Sequence, residues 1–384
     1  MNKLIAYNTE DLDAQITYEQ AHIWQKKGWI NAPSFDKIKT HFVANFYSRN
    51  VLMRVGVGIF CTIFVWAFFA FVMQFGGGYS ENALGIKCLF MGIICFAFLE
   101  FMIQSKHYKS GVDDALLYCG LGYIMAGFMA LFKLEADELS FYWAFLPLLI
   151  VAAVRYTDRL VTALAFCFAL AIVILSTLKF PNIAPSVLSF VVMLFAIFAY
   201  FLSVKVQKNI ESRFWKNNLD VVEGLSSILF YASGNYFVLQ QANETYFGNP
   251  TVALAPLFWF LTFAVPIFYM YQGLKQKNRL ILSMGLLGVA ASVATFRYYF
   301  HIVPMEIAAI VAGVLLLSIA YFSIQYLKRH KTPFIYEEDE EKPFYQQAES
   351  LIIAQSLGGV SPQEGEKPLF GGGDFGGGGA GENF

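Results

Sequence analysis

From residue 51 onward, apolar stretches about as long as a bilayer is thick alternate with short polar ones. Ten follow in order: residues 51–75, 83–102, 112–131, 141–154, 160–178, 184–204, 220–241, 251–271, 280–296 and 303–327. At ~1.5 Å per residue, ~20 residues in a helix cross the ~30 Å hydrocarbon layer. The pattern therefore predicts an all-α polytopic membrane helix bundle of about ten transmembrane helices. The fourth stretch, about 14 residues, is the shortest.

The seventh is the most polar. Read as one helix, 220–241 spans ~33 Å at ~1.5 Å per residue. At ~100° per residue, Asp220, Glu223, Ser227, Tyr231, Gly234 and Gln241 fall within a sector of ~80°, with Asn235 further along. Polar groups are expensive against lipid, so this stripe is expected to face other helices or a wet cavity, which places the segment in the middle of the bundle.

Before the spans, residues 1–50 read as a cytosolic helical hairpin head. Thr17 and Gln20 form a capping box and Gly28 a helix stop; a second helix starts at Ser34 after Pro33 and carries Phe35, Ile38, Phe42 and Phe46. About 30 residues are too few to hold a core alone, so the head is expected to dock on the membrane part or on a protein partner. The first residues carry no basic, apolar and small-residue pattern of a secretory signal, so nothing is expected to be removed.

Charge settles the parity of the count. Of the 27 Lys and Arg, 21 fall in the head or in alternate loops; Lys87, Lys133, Lys179 and Arg297 fall on the other side. By the positive-inside rule both termini are expected in the cytoplasm, with ten crossings of the membrane, and the short fourth segment kept as one of them. The composition, 57% apolar and 14% charged, agrees with a protein whose main partner is the lipid bilayer. It gives no basis for binding nucleic acid.

Gly288, Ala291, Ser292 and Thr295 in the ninth segment put small residues at close-packing spacing, so an interior helix is expected there. Gly120, Gly122 and Gly127 suggest the same for the third, where Asp113 and Asp114 read as helix-start caps. Pro256 and Pro266 predict a kinked eighth segment whose freed carbonyls need partners; such breaks surround substrates in transporters and also occur without that role. Glu100 and Asp220 lie near the basic side, open to water or to Lys106 and Lys216. Glu223 lies deeper and reads either as a proton- or cation-linked carboxylate or as a structural hydrogen-bond acceptor. Between the sixth and seventh segments lies a basic connector suited to the anionic leaflet or to the positive-inside bias alone.

No catalytic motif appears. The five histidines are scattered, and the five cysteines lack metal-site spacing and read as small buried hydrophobes. No catalytic residue, metal ligand or cofactor is expected.

The stretch ITYEQAHIWQKKGWI, Ile16 to Ile30, with the many spans behind it, resembles a family of uncharacterised bacterial multi-spanning membrane proteins with a short helical cytosolic head. The resemblance implies a bacterial inner membrane and no catalytic residues. After residue 327 the composition shifts to EEDEE and then to FGGGDFGGGGAGENF, so residues 328–384 read as an acidic, Gly-rich disordered cytosolic tail. Its end resembles the glycine-aromatic tails of several bacterial membrane-anchored proteins, and reads as ballast or as a docking tag through Phe370, Phe375 and Phe384.

Two functions follow. One is a small-solute transporter or permease built on the polar seventh and kinked eighth segments. The other is a non-transporting scaffold or sensor presenting head and tail to partners.

Overall fold

The computed structural model describes residues 4–26, 28–42, 46, 51–74, 80–135, 138–180, 185–276 and 278–300, with residues 310, 313, 314, 317, 321 and 325 beyond them. Among the described residues the chain is helical and no strand forms. The helices are α1 (Thr9–Lys26), α2 (Ala32–His41), α3 (Val51–Met73), α4 (Glu81–Gln104), α5 (Val112–Phe132), α6 (Leu139–Tyr156), α7 (Arg159–Leu178), α8 (Pro185–Gln207), α9 (Lys216–Gly234), α10 (Tyr236–Phe247), α11 (Ala255–Gln276) and α12 (Arg279–Tyr299). A 3-10 turn, Ile210–Trp215, joins α8 to α9.

Eight of these, α3 to α8 with α11 and α12, are long and apolar enough to cross a membrane. Such a set fits an integral multi-pass protein, because a helix satisfies its own backbone in lipid. The eight correspond to the first six segments and to the eighth and ninth. The fourth reaches spanning length as an 18-residue helix, between an extended Glu138 and a left-handed Thr157. The seventh segment is a correction, since it is not one helix but breaks at Asn235. The tenth segment, with Glu306, and the tail lie outside the described residues apart from six helical positions between 310 and 325.

The bundle has two chemically different parts. In α3 to α7 the interior is filled: Met91, Leu99, Leu121, Phe145, Leu149 and Val161 belong to one buried apolar cluster. Helices α4 and α5 approach closely across glycines. A Cβ on Gly92 would lie 2.6 Å from Ile124, and one on Gly127 would lie 2.7 Å from Leu89, so the small residues set the spacing. Gly122, by contrast, faces open space. The cysteines follow the expectation in part: Cys88 and Cys95 are buried, Cys61 and Cys119 half-buried, while Cys167 is exposed.

The helix ends that carry most of the basic residues form a rim, and that rim is held by ion pairs. Arg54 at the start of α3 donates two hydrogen bonds to Asp114 of α5, at 2.5 and 2.7 Å. Asp114 therefore ties two helices together, whereas Asp113 caps the preceding turn by accepting from the N–H groups of Lys109, Ser110 and Gly111. Glu100 pairs with Arg155 at 2.8 Å, not with Lys106, and accepts a further bond from the Tyr156 hydroxyl at 2.8 Å.

The head docks on this rim. Ile5, Tyr7 and Leu12 are buried in the same apolar cluster as α4 to α7, and the Ala6 N–H donates to the Arg155 carbonyl at 2.9 Å. Tyr7 stacks edge-on against Tyr108 with ring centroids 5.0 Å apart. Asp13 of α1 pairs with Arg213 in the connector at 2.5 Å, raising the Arg213 pKa; both side chains are more than a third exposed, so the pair adds little stability. The connector itself is pinned through the Trp215 indole N–H, which donates to the Val154 carbonyl at 2.8 Å.

Two helix starts differ from the sequence reading. Helix α1 begins at Thr9, so Thr17 lies inside it and bonds back to the Asp13 carbonyl. Helix α2 is capped by Asn31, whose side chain accepts from the Ser34 N–H at 3.0 Å, with Pro33 in the first turn. Gly28 stands in the left-handed region, as a helix stop requires.

Docking of the head is expected to weaken at high pH through Tyr7. Burial, and then the nearby Asp113, push its pKa well above the ordinary value. Its contribution is complete below the unfolded tyrosine value of ~10 and declines as pH rises above that, because only the undocked head releases the proton easily. Protection of residues 5–12 from hydrogen exchange, measured against the intrinsic rate at each pH, should fall above that pH in the parent protein. In Tyr7→Phe, which keeps the ring, the fall should be markedly smaller; an identical pH response would remove Tyr7 as its source.

Candidate functional site

Around α9 the interior changes character. Glu223, Ser226, Ser227, Ser233, Asn235, Thr262, Ser292 and Thr295 are all buried. Buried polar groups persist only when hydrogen-bonded, and the bonds here gather at two levels.

The first level is near the basic rim, where Glu223 is 3% exposed. Its two carboxylate oxygens accept from uncharged amides, Asn278 Nδ2 at 2.7 Å and Gln207 Nε2 at 3.2 Å. Asn278 also caps α12, its Oδ1 accepting from the Leu280 and Ile281 N–H groups. Glu223 thus fastens the end of α8 and the start of α12 to α9. Asp220, half-buried, accepts from the same Gln207 amide at 3.3 Å; a hydrogen bond to Lys216 is not what holds it. Replacing Glu223 by Leu leaves the half-buried Asn278 amide without its acceptor and Gln207 with Asp220 alone, and is expected to cost about 1–3 kcal/mol, whereas Glu223→Gln retains an acceptor and should cost less than about 1 kcal/mol. Thermal unfolding in detergent measures both; equal melting of Glu223→Leu and parent would show that the clamp is idle.

The second level lies further along, where α9 ends. Ser233, Gly234 and Asn235 interrupt the helix: Asn235 is extended, with φ −81° and ψ 129°, and its side-chain oxygen accepts from the Phe237 and Val238 N–H groups. Asn235 is therefore the N-cap of α10 as well as a member of the polar stripe. Its amide nitrogen donates to the Tyr231 hydroxyl at 2.9 Å and to Thr295 Oγ1 at 3.1 Å. Tyr231 in turn meets Ser292 Oγ at 3.0 Å.

The neighbouring helix shares in this network because of a proline. Pro266, fully buried inside α11, has no N–H, which frees the carbonyl of Thr262 four residues earlier. Ser292 of α12 donates to that carbonyl at 2.6 Å. The fit is close: a Cβ on Gly288 would lie 2.9 Å from the Pro266 ring, so the small residues of α12 receive the proline. Thr262 Oγ1 accepts the Tyr236 N–H at 3.0 Å, which covers the first free donor after the break. Pro256 does something else. It is the second residue of α11, where its missing N–H is no loss, so the expected kink at Pro256 is not formed.

The structure thus brings Tyr231 and Asn235 together with Ser292, Thr295 and Thr262, and places Glu223 apart from them near the rim. Ser227 lies between: its hydroxyl donates back to the Glu223 carbonyl, and its own carbonyl accepts from Tyr269. Gln241 leaves the stripe, exposed on α10 and bonded to Glu244. Gln207, Thr262, Tyr269 and Asn278 are the residues of the two levels that sequence reasoning missed. Pro266 was the available signal for Thr262, since it names the carbonyl four residues back as the one needing a donor.

Beside this network lies a groove of ≈ 590 Å³ between α9–α10 and α12. Its accessible wall is almost entirely apolar, Leu287 and Ala291 included; Ser227, Tyr231, Asn235, Tyr269, Thr295 and Tyr298 also line it, with Ser227, Asn235 and Thr295 themselves buried. Helix α12 is accordingly interior on one face only. Gly288, Ser292 and Thr295 are buried, while Leu287 is 62% exposed and Ala291 and Ala294 are open to the groove. Among the described residues no group of His, Cys, Asp and Glu is placed to hold a metal ion.

No family model matches the chain, and neither a curated protein nor a solved structure matches it.

Proposed function

We propose that this protein is a permease for a small solute, with the solute passing along the groove between α9–α10 and α12. The observation that carries the reading is the break at Asn235, which turns a membrane helix into two pieces and sets uncharged hydrogen-bonding groups beside a groove of ligand size. Discontinuous helices with such groups at the break are a recurring way to build a solute site inside a bilayer.

We place the chain in a bacterial inner membrane with ten crossings and both termini cytoplasmic. The eight apolar helices supply eight crossings, α9 with α10 a ninth, and residues 303–327 the tenth. Reporters on the head and on Phe384 that appeared in opposite compartments would end this topology.

The permease reading is tested without knowing the solute. In a chain whose five cysteines are replaced, a cysteine at Ser227 should react with a membrane-impermeant thiol reagent from both sides of oriented vesicles. Reaction from neither side would leave the scaffold reading in its place. That second reading draws on the head, where Ile23, Trp24 and Trp29 are exposed and offer an apolar face to a protein partner.

A further inference from the structure

The seam where the head meets the end of α4 holds a second cavity, of ≈ 330 Å³, which lies outside the groove and does not depend on the permease reading. That volume is at the small end of ligand sites. The head lines one side of it, and the last turn of α4 with the turn that follows lines the other.

Charge changes sign along its depth. Tyr7, Asp11 and Ile103 form a buried floor, where the Asp11 carboxylate is only 8% exposed; Gln104 and Lys106 stand exposed at the mouth. Glu100, half-buried, adds a second carboxylate, and it is used on one side only. Its Oε1 takes the contacts from Arg155 and the Tyr156 hydroxyl, while Oε2 accepts no hydrogen bond among the described residues. The Lys106 ammonium likewise makes no ion pair or hydrogen bond among them, in a turn that holds its backbone in the left-handed region at φ 63°. The remaining wall includes the apolar side chains of Ile103 and Phe46.

An ion of one sign would meet a partner at one end of this cavity and lose its water at the other without compensation. A molecule carrying both charges meets a partner at each end. We propose that the seam is a regulatory site for a small zwitterion of the α-amino acid class. Its ammonium lies between Asp11 and Glu100 Oε2, its carboxylate at Lys106, and a short apolar side chain against Ile103 and Phe46.

Both walls are present only while the head is docked, so the ligand strengthens docking by mass action. At ten times its dissociation constant it raises the docking equilibrium about tenfold. The effect reaches beyond the seam because Asp13 of α1 holds Arg213 in the connector that leads into α9.

The experiment follows hydrogen-exchange protection of residues 5–12 in the full-length chain in lipid nanodiscs. Glycine, L-alanine and L-leucine are the zwitterions; ethylamine and acetate each carry one of the two charges. At least one zwitterion should raise protection several-fold, and neither single-charge probe should do so at the same concentration. Glu100→Gln keeps an acceptor for Arg155 and Tyr156 and removes the charge, so the head should stay docked while the half-maximal concentration rises several-fold. Lys106→Met, at an exposed side chain, should raise it as well and covers the case in which the glutamine variant loosens the head.

No response to any zwitterion, an equal response to ethylamine, or a response that survives both substitutions overturns the proposal. So does carbodiimide coupling of Lys3 to Asp11 or Glu100 without added ligand, since the chain's own ammonium would then fill the acidic part. Thiol access at position 227 reads the permease separately, so either reading can fail without the other.

Discussion

Gly111→Ala is expected to destabilise the protein by about 3–5 kcal/mol, a large loss for a single methyl group. Gly111 stands at φ 92°, where a side chain is strained whatever the space around it, and a Cβ built there would lie 2.1 Å from the backbone carbonyl oxygen of Arg54. A flexible side chain could turn away from such a contact; a carbonyl inside α3 moves only if the helix moves. The displaced helix would carry Arg54 off Asp114, so strain and a broken ion pair arrive together. Thermal unfolding in detergent reads the loss, and reaction of the half-buried Cys61 with a thiol reagent reads the displacement of α3. Gly122→Ala, with nothing within 4 Å of the added atom, is the control and should be neutral or slightly stabilising, because alanine favours the helix. Similar melting of the two variants would mean that the approach of α3 to this turn is not a tight one.

Asn235→Ala carries the second large effect, about 3 kcal/mol, since one side chain makes several bonds at the break. Loss of the cap on the Phe237 and Val238 N–H groups costs about 1 kcal/mol, and loss of the buried bonds to Tyr231 and Thr295 about 1 kcal/mol each. The backbone then gains by closing the gap, and α9 is expected to run on towards α10. The Tyr236 N–H would exchange its bond to Thr262 for one within the helix, which shifts the whole of α10 relative to α11. Hydrogen exchange at residues 235–238 should slow while the melting temperature falls. In the thiol-access assay, position 227 should lose reactivity from one side. Unchanged exchange at the break would show that Asn235 fills a gap that other residues create.

Legibility in the sequence differed from element to element, and the reason is range. Apolar length needs no partner to be read, so eight segments became eight helices. Even the short fourth was recovered, because the charge of its flanking loops was independent evidence. Pro266 was legible too, since the loss of an N–H is a covalent fact, and the demand it places on the Thr262 carbonyl follows from helix geometry. The break at Asn235 was written locally as Ser-Gly-Asn, a helix stop followed by a cap, yet the apolar residues on both sides outweighed it in a reading that looked for a span.

What the sequence alone determined is therefore the kind of protein: a membrane bundle of apolar helices, with a polar stripe on one of them that has to turn inward. Which groups that stripe would meet was a matter for the tertiary structure. Asn278 reaches Glu223 from 55 residues away, and Ser292 reaches Tyr231 from 61. A helix face has one composition but many possible neighbours, and burial makes a polar group require a partner without saying which. Only the packing of α12 against both α9 and α11, the latter set by close glycine contacts that include Gly288 on Pro266, brought the partners to the places where they are used.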